Sequence, residues 1–572
     1  MSFLGTILGF LGTVAFPFQD PLQKQSPLST LQQPFLENYT FEPFPLDTNI
    51  TWMRRDFSEL HTAALEGNKQ RVEELIKAGA DVSASSHTNI IDGGGPLHFA
   101  AYGGYVDVVQ LLLQAGAGLS SASKSGASAL EVAAFNGQVE TVKFLLTAGA
   151  DPTGGTALHA AVASGSEEIF YMFLEAGADI SAEGHFGRTP LHYACHAGRE
   201  KIVHFLLRHS MTPWVDTDPE IPFFSDNEDR EIDTFSVIGR VNVSAVDIDG
   251  TTALHDAVDS ASKTIVQRLL AAGSDVSKAD AYGKTALHRA VMYGYKDIVE
   301  CLIHAGSDVQ AADSSGETLL DIAVMEGNLE LVRILLSAGA YISSVSENGM
   351  TPLHRAPYSP AGRDVARLLL EHGAQVNKQD SGGSTPLHEA SSWAHSEVVQ
   401  ALLSSGADVS LSDYAGDTAL HRAVTHGDET IARLLLDAGA DITQINHDHA
   451  TVLHLAASHC NEQVVSPLLD AGADFLATDG NGATPLHLAA THDCEGVALL
   501  LLDAGADIFA LDNSCQTAEY RAAQGGHLEL ALRLIYRSPM HSWKDKARVY
   551  FYSAVARISN LLLGSDLPTL NS

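Results

Sequence analysis

Between Asp413 and Asp441 apolar residues return every three or four positions in two short bursts, with polar residues between them. Leu420, Ala423 and Val424 mark one face of a first helix. Ile431, Leu434 and Leu435 mark one face of a second. Thr418 stands where its side chain can cap the first helix by accepting a free backbone N–H. Gly427 breaks the chain between the helices, and Gly439 suits the C′ position that ends the second. Asp441 then opens a polar stretch of turn residues that leads to the next Asp-x-x-Gly-x-Thr. The pattern predicts a helix-turn-helix unit with a polar finger.

The same pattern recurs, mostly every 33 residues. Its leading leucine position is held by Leu60, Leu97, Leu130, Leu158, Leu191, Leu254, Leu287, Leu320, Leu353, Leu387, Leu420, Leu453, Leu486 and, last, Glu519. Fourteen units over residues 55–537 are therefore expected. Two short helices cannot bury enough surface alone, so neighbouring copies must stack. Several copies place proline after the capping threonine, as in Thr189-Pro190, Thr351-Pro352, Thr385-Pro386 and Thr484-Pro485. Proline costs nothing at the first helical position, where the N–H has no partner anyway.

Thr-Pro-Leu-His-x-Ala stands at 189–194, 351–356, 385–390 and 484–489. Ala-Gly-Ala-Asp closes units at 78–81, 148–151, 176–179, 438–441, 471–474 and 504–507. In these motifs the chain resembles the ankyrin repeat. The resemblance implies an all-α solenoid of stacked helix-turn-helix units with short β-hairpin fingers. It also implies that the motif histidines, such as His255 and His421, serve local hydrogen bonding. Where Glu131, Asp321 and Tyr520 replace that histidine, looser hairpins are expected.

Spacing divides the chain further. Residues 1–54 combine an apolar run at 3–18 with a Pro-, Gln- and Ser-rich linker. The run is short for a membrane span and has no basic residue ahead of it. Residues 55–209 hold repeats one to five. One step of 28 residues, at Asp151-Pro152-Thr153-Gly154-Gly155, lacks most of a finger. A step of 63 residues leaves an acidic insertion at 210–240, with Trp214, Phe223, Phe224 and Phe235 among its carboxylates. Both irregularities are expected to interrupt stacking. Repeats six to fourteen fill 241–537, and 538–572 reads as an amphipathic capping segment.

Charge narrows the partners. Seventy acidic residues against 34 basic ones give a net charge of −36. That field repels nucleic-acid phosphate and favours a basic protein partner. No direct nucleic-acid contact is expected, and the only membrane contact the sequence offers is residues 3–18. The five cysteines, Cys195, Cys301, Cys460, Cys494 and Cys515, are odd in number, far apart and without Cys-x-x-Cys spacing. A reducing compartment, cytoplasmic or nuclear, follows as the simplest expectation.

Catalytic chemistry is sought without success. Gly93-Gly94-Gly95 lacks the Gly-Lys-Ser/Thr of a phosphate loop. His492, Asp493 and Cys494 are adjacent, so they cannot face one another as nucleophile and base. No zinc ligand set is found, and neither a metal nor a cofactor is expected. The chain reads as a non-enzymatic scaffold that binds a protein. A regulatory adaptor that recruits a degradation or transcription complex and a membrane-tethered scaffold remain as alternatives, each open to a role beside a specialised-metabolism pathway. The ankyrin resemblance implies binding on the finger tips and the exposed end of the first helix. Carried over, those positions are Tyr102, Phe135, Phe186, Tyr282, Met292, Tyr293, Trp393, Tyr414 and His426. Large aromatics at exposed positions invite a functional reading.

Overall fold

The computed structural model describes residues 58–86, 91, 93–154, 156–210 and 238–537. The expectations for residues 1–54, for the bulk of the insertion and for 538–572 lie outside these residues. Among the described residues there are 28 α-helices, alternating between a shorter first helix and a longer second one. Ala253–Asp259 has seven residues and Lys263–Ala271 has nine. Extended pairing is reduced to isolated bridges, so each predicted hairpin finger closes on a single pair such as Ala279 with Thr285.

The first helices begin as their sequences direct. Thr418 has extended backbone angles, and its hydroxyl accepts the His421 N–H. Pro190, Pro352, Pro386 and Pro485 each enter at the first turn. The leading leucines point inward. From Leu60 to Leu486 none is more than 3% exposed. Burying such a side chain contributes roughly 1.5–3 kcal/mol, more than the hydrogen bonds of so short a helix can supply. Glu519 breaks the row. Its carboxyl is half-buried, and burial raises its pKa.

The chain forms two compact units, Met1–Ala150 and Asp151–Ser572, and their boundary coincides with the shortened step. In the first unit the helices Glu59–Leu65, Pro96–Gly103 and Ala129–Phe135 stack in order. In the second, first helices stack continuously from Ala157–Ser164 to Ala518–Gly525. Second helices back them, with Phe170 edge-on to Phe205 at 5.6 Å between ring centroids.

The expectation that the insertion interrupts stacking is corrected here. Pro190–His196 and Ala253–Asp259, the first helices on either side of it, pack directly together. Arg188 reaches across to Asp247 at 3.1 Å and Asp256 at 3.3 Å. The chain leaves at Ser210 and returns to pair at Val241, so the extra residues are accommodated without parting the helices.

Fingers lock to one another through their backbones. The Tyr282 carbonyl accepts the Ser314 N–H at 3.0 Å, the Gly382 carbonyl that of Tyr414 at 2.9 Å, and the Ala415 carbonyl that of His447 at 3.0 Å. This closeness explains the finger glycine. Gly283 has φ +75°, and a Cβ there would lie 2.6 Å from Ser314 N.

Candidate functional site

The motif histidines are structural groups. Thr252 N–H donates to His255 Nδ1 at 3.2 Å, so that nitrogen carries a lone pair. Nε2 therefore holds the proton and donates to the Lys284 carbonyl of the next finger at 3.0 Å. His192, His388 and His487 repeat the arrangement toward Thr251, Asp417 and Gln516. Each ring thus joins its own helix start to the following repeat. Burial holds them neutral and pushes the His255 pKa down to about 4.

At two of the three substituted positions the helix start is still capped, while Thr517, ahead of Tyr520, makes no side-chain cap. Glu131 accepts the Ser128 N–H at 2.6 Å, and Asp321 accepts the Thr318 N–H at 3.0 Å. A carboxylate can close the cap as the imidazole does. What it lacks is a proton to donate onward.

Arginines anchor the fingers to the inner helices. Asp280 accepts the Tyr282 and Lys284 N–H groups through one oxygen and Arg289 through the other. Asp413 does the same with Ala415, Asp417 and Arg422, and Asp512 with Ser514, Gln516 and Arg521. The first-helix face is therefore charged and well organised, and the finger that carries Tyr282 is held in a fixed place.

Of the nine candidate residues, Tyr282 and Tyr414 are the most open, at 68% and 70% exposed on their finger tips. Phe186, Tyr293, Trp393 and His426 are also exposed. Tyr102, Phe135 and Met292 are half-buried, which corrects the expectation of full exposure. Tyr282, Met292 and Tyr293, three candidates of one repeat, do not form one patch. Tyr282 lies before Ala286–Met292, and Met292 and Tyr293 end it, about 10 Å along the axis. Tyr293 instead pairs with Tyr295, with centroids 5.6 Å apart.

The structure adds Tyr358. Its ring lies 4.8 Å from that of Trp393, and its hydroxyl donates to Glu389 at 2.7 Å. Burial first, then the Glu389 carboxylate, pushes its pKa up to about 12. Tyr358 occupies the position of Met292 two units on, but Pro357 ends its helix early and hides the equivalence. Ile248 is 67% exposed, and its N–H bonds to the Phe186 carbonyl, which extends the apolar surface of that tip.

Cysteine usage also differs from expectation. Cys460 and Cys494 form a disulfide with Cα atoms 4.8 Å apart. Their separation of 34 residues is about one repeat, so stacking brings equivalent turns together. The bond removes Cys494 from any catalytic role beside His492. Among the described residues no helix is long and apolar enough to cross a membrane.

A family model described as ankyrin repeats (3 copies) matches residues 60–154, 150–217, 227–313, 310–380, 377–446, 420–512 and 453–542. Among curated proteins, the chain is 32% identical over 199 residues to the nuclear factor NF-kappa-B p105 subunit of Gallus gallus, covering 32% of this chain and 19% of that protein. It is 32% identical over 229 residues to the B-cell lymphoma 3 protein homolog of Mus musculus, covering 38% of this chain and 44% of that protein. Rabankyrin-5 of Mus musculus is 28% identical over 232 residues, covering 38% and 18%. The chain thus spans less than half the length of each of these relatives.

Proposed function

Because the chain belongs to the ankyrin-repeat family, we propose that it is a non-enzymatic scaffold whose fingers and inner helices capture a basic segment of a partner protein. Ankyrin repeats indicate a protein–protein interaction domain, and that much holds for this chain. The observation that carries the finer reading is the exposure of Tyr282 and Tyr414 on rigidly held finger tips. Neither ring is needed to close its finger, which is done by Asp280 or Asp413 and by backbone hydrogen bonds. Solubility would favour polar side chains there. Tyrosine and tryptophan are also the usual anchors of interface energy.

The net charge of −36 supports a basic partner. Such a field speeds encounter and sets orientation, while the desolvated rings supply more of the affinity. Regulatory recruitment remains within this reading, since capture of a partner is its first step.

The test replaces Tyr282, Tyr293 and Trp393 together by Ser and measures melting and capture of interacting proteins. Lost capture, with a midpoint lowered only as far as Trp393→Ser alone lowers it, is the expected outcome for the face as a whole. Trp393→Ser alone serves as control. It removes the contact with Tyr358, worth roughly 0.5–1.5 kcal/mol, and lowers the midpoint slightly. Tyr282→Ser leaves the midpoint unchanged. Retained capture in the triple variant overturns the assignment of the face.

A further inference from the structure

At the junction beside the insertion, the first helices carry chemistry unlike that of their neighbours. His196 ends Pro190–His196, and Asp259 ends Ala253–Asp259. Both are the seventh residue after the cap, the position held by Met292 and Tyr358 elsewhere. Asp256 lies one helical turn before Asp259. A ring nitrogen of His196 and one oxygen from each carboxylate lie within 4.8 Å of one another.

Charge at this point does not balance. Asp247 and Asp256 face Arg188, and Asp259 and Asp280 face Arg289. Four carboxylates thus meet two guanidinium groups, a deficit of two positive charges with His196, 3.6 Å from Asp256 Oδ1, neutral and of one with it protonated. Asp256 is wholly buried. Its Oδ2 and the Oδ1 of Asp259 are buried without a hydrogen-bond partner. An uncompensated buried carboxylate oxygen is costly, and a small cation is one means of satisfying it.

We propose that His196, Asp256 and Asp259 form a binding site for one divalent transition-metal ion of the zinc class. The arginines occupy Asp256 Oδ1 and Asp259 Oδ2, at 3.3 and 2.6 Å. That leaves the other oxygen of each carboxylate for the ion. An imidazole beside two carboxylates suits zinc better than calcium or magnesium, which take oxygen ligands. Four-coordinate zinc holds its donors at roughly 2.0–2.2 Å, hence about 3.4 Å from one another. The donor atoms lie within 4.8 Å of one another, and His196, the exposed one, is the ligand free to move inward. A protein partner's lysine would fit less well, since the unpartnered oxygens are out of reach of a bulky group. Three protein donors leave one position for water. Binding ties together the two helices that flank the insertion.

The test uses the full chain stripped with EDTA, titrated with Zn²⁺ by calorimetry and with Co²⁺ by its visible spectrum. The chain has 26 histidines, so the reading is a difference between variants. Wild type is expected to bind one tight equivalent and to gain melting temperature on Zn²⁺ addition. His196→Ala and Asp259→Asn lose that equivalent and the gain. The loss of affinity exceeds the roughly 10–100-fold cost of removing an outer-shell partner. His196 is half exposed, so its variant folds as wild type does without metal, and it decides the matter if Asp259→Asn is unstable. Equal stoichiometry and equal melting shifts in wild type and His196→Ala overturn the proposal. So does failure of wild type to bind, which would mean that protons fill the charge deficit.

Discussion

Asp321 holds Thr318 with a single oxygen, which accepts the backbone N–H at 3.0 Å and the hydroxyl at 2.7 Å. The second oxygen is buried without a partner, and burial raises the carboxyl's pKa. In the next two repeats His354 and His388 do this work and also donate to the following finger. Asp321→His should therefore stabilise the chain. The gain is expected at about 1–3 kcal/mol, the cost of leaving one buried polar atom unpaired. Thermal unfolding checks it, and a lower midpoint would show that the cavity does not admit the ring.

Leu420 is 1% exposed, at the centre of the unit from which the pattern was first read. Leu420→Ala should cost roughly 2–5 kcal/mol. Circular dichroism of the variant at rising urea measures this. Because each repeat leans only on its neighbours, the loss should appear as a broadened transition as well as an earlier one. An unchanged curve would be incompatible with the stacking described above.

The fold was largely legible because its cause is periodic. Leucines that recur every 33 residues, and threonines and glycines at fixed offsets from them, state the same local instruction many times. The site was less legible because its relationships run between repeats. Tyr358 escaped notice because Pro357 cuts its helix short, though its ring meets that of the recognised Trp393. Cys460 and Cys494 looked remote until stacking made one repeat's length a contact distance. His196 and Asp259 occupy equivalent positions 63 residues apart, and only direct packing across the insertion brings them together. Tyr102 and Phe135 are half-buried, a depth that the spacing of apolar residues alone does not show.

The disulfide makes a prediction about thiol count. Denatured without reductant, the chain should alkylate at Cys195, Cys301 and Cys515 only. Folded, Cys515 should react first, since it is exposed while Cys195 is buried and burial raises its thiol pKa. Reduction should lower stability by about 4 kcal/mol, given a closed loop of 34 residues. Mass spectrometry decides the first point. Five alkylated cysteines in unreduced, denatured protein would show that the bond does not form.

Acid should destabilise the chain well above the range of ordinary carboxylates. His255 has a folded pKa of about 4 against 6.5 for the free side chain. Below pH 6.5 the unfolded chain takes up a proton that the folded one refuses, so stability falls as pH drops from 6.5 toward 4. Fully expressed, this group alone accounts for about 3 kcal/mol. Burial shifts His98, His192, His288, His354, His388, His454 and His487 in the same direction. His196 acts oppositely. Its hydrogen bond to Asp256 raises its pKa, so its contribution is present in acid and lost as pH rises through the raised value. One such group cannot offset so many. The finger aspartates Asp280, Asp413 and Asp512 have lowered pKa values, so their contribution is lost only as pH falls below the usual carboxylate range. Melting midpoints at pH 7.5, 6.0 and 5.0 should therefore fall progressively, before those carboxylates titrate. A midpoint that is flat or rises over that window would mean that the motif histidines are already charged in the folded chain. Their Nδ1 nitrogens could not then accept the capping N–H groups, and the repeat-to-repeat bonds described above would need a different donor.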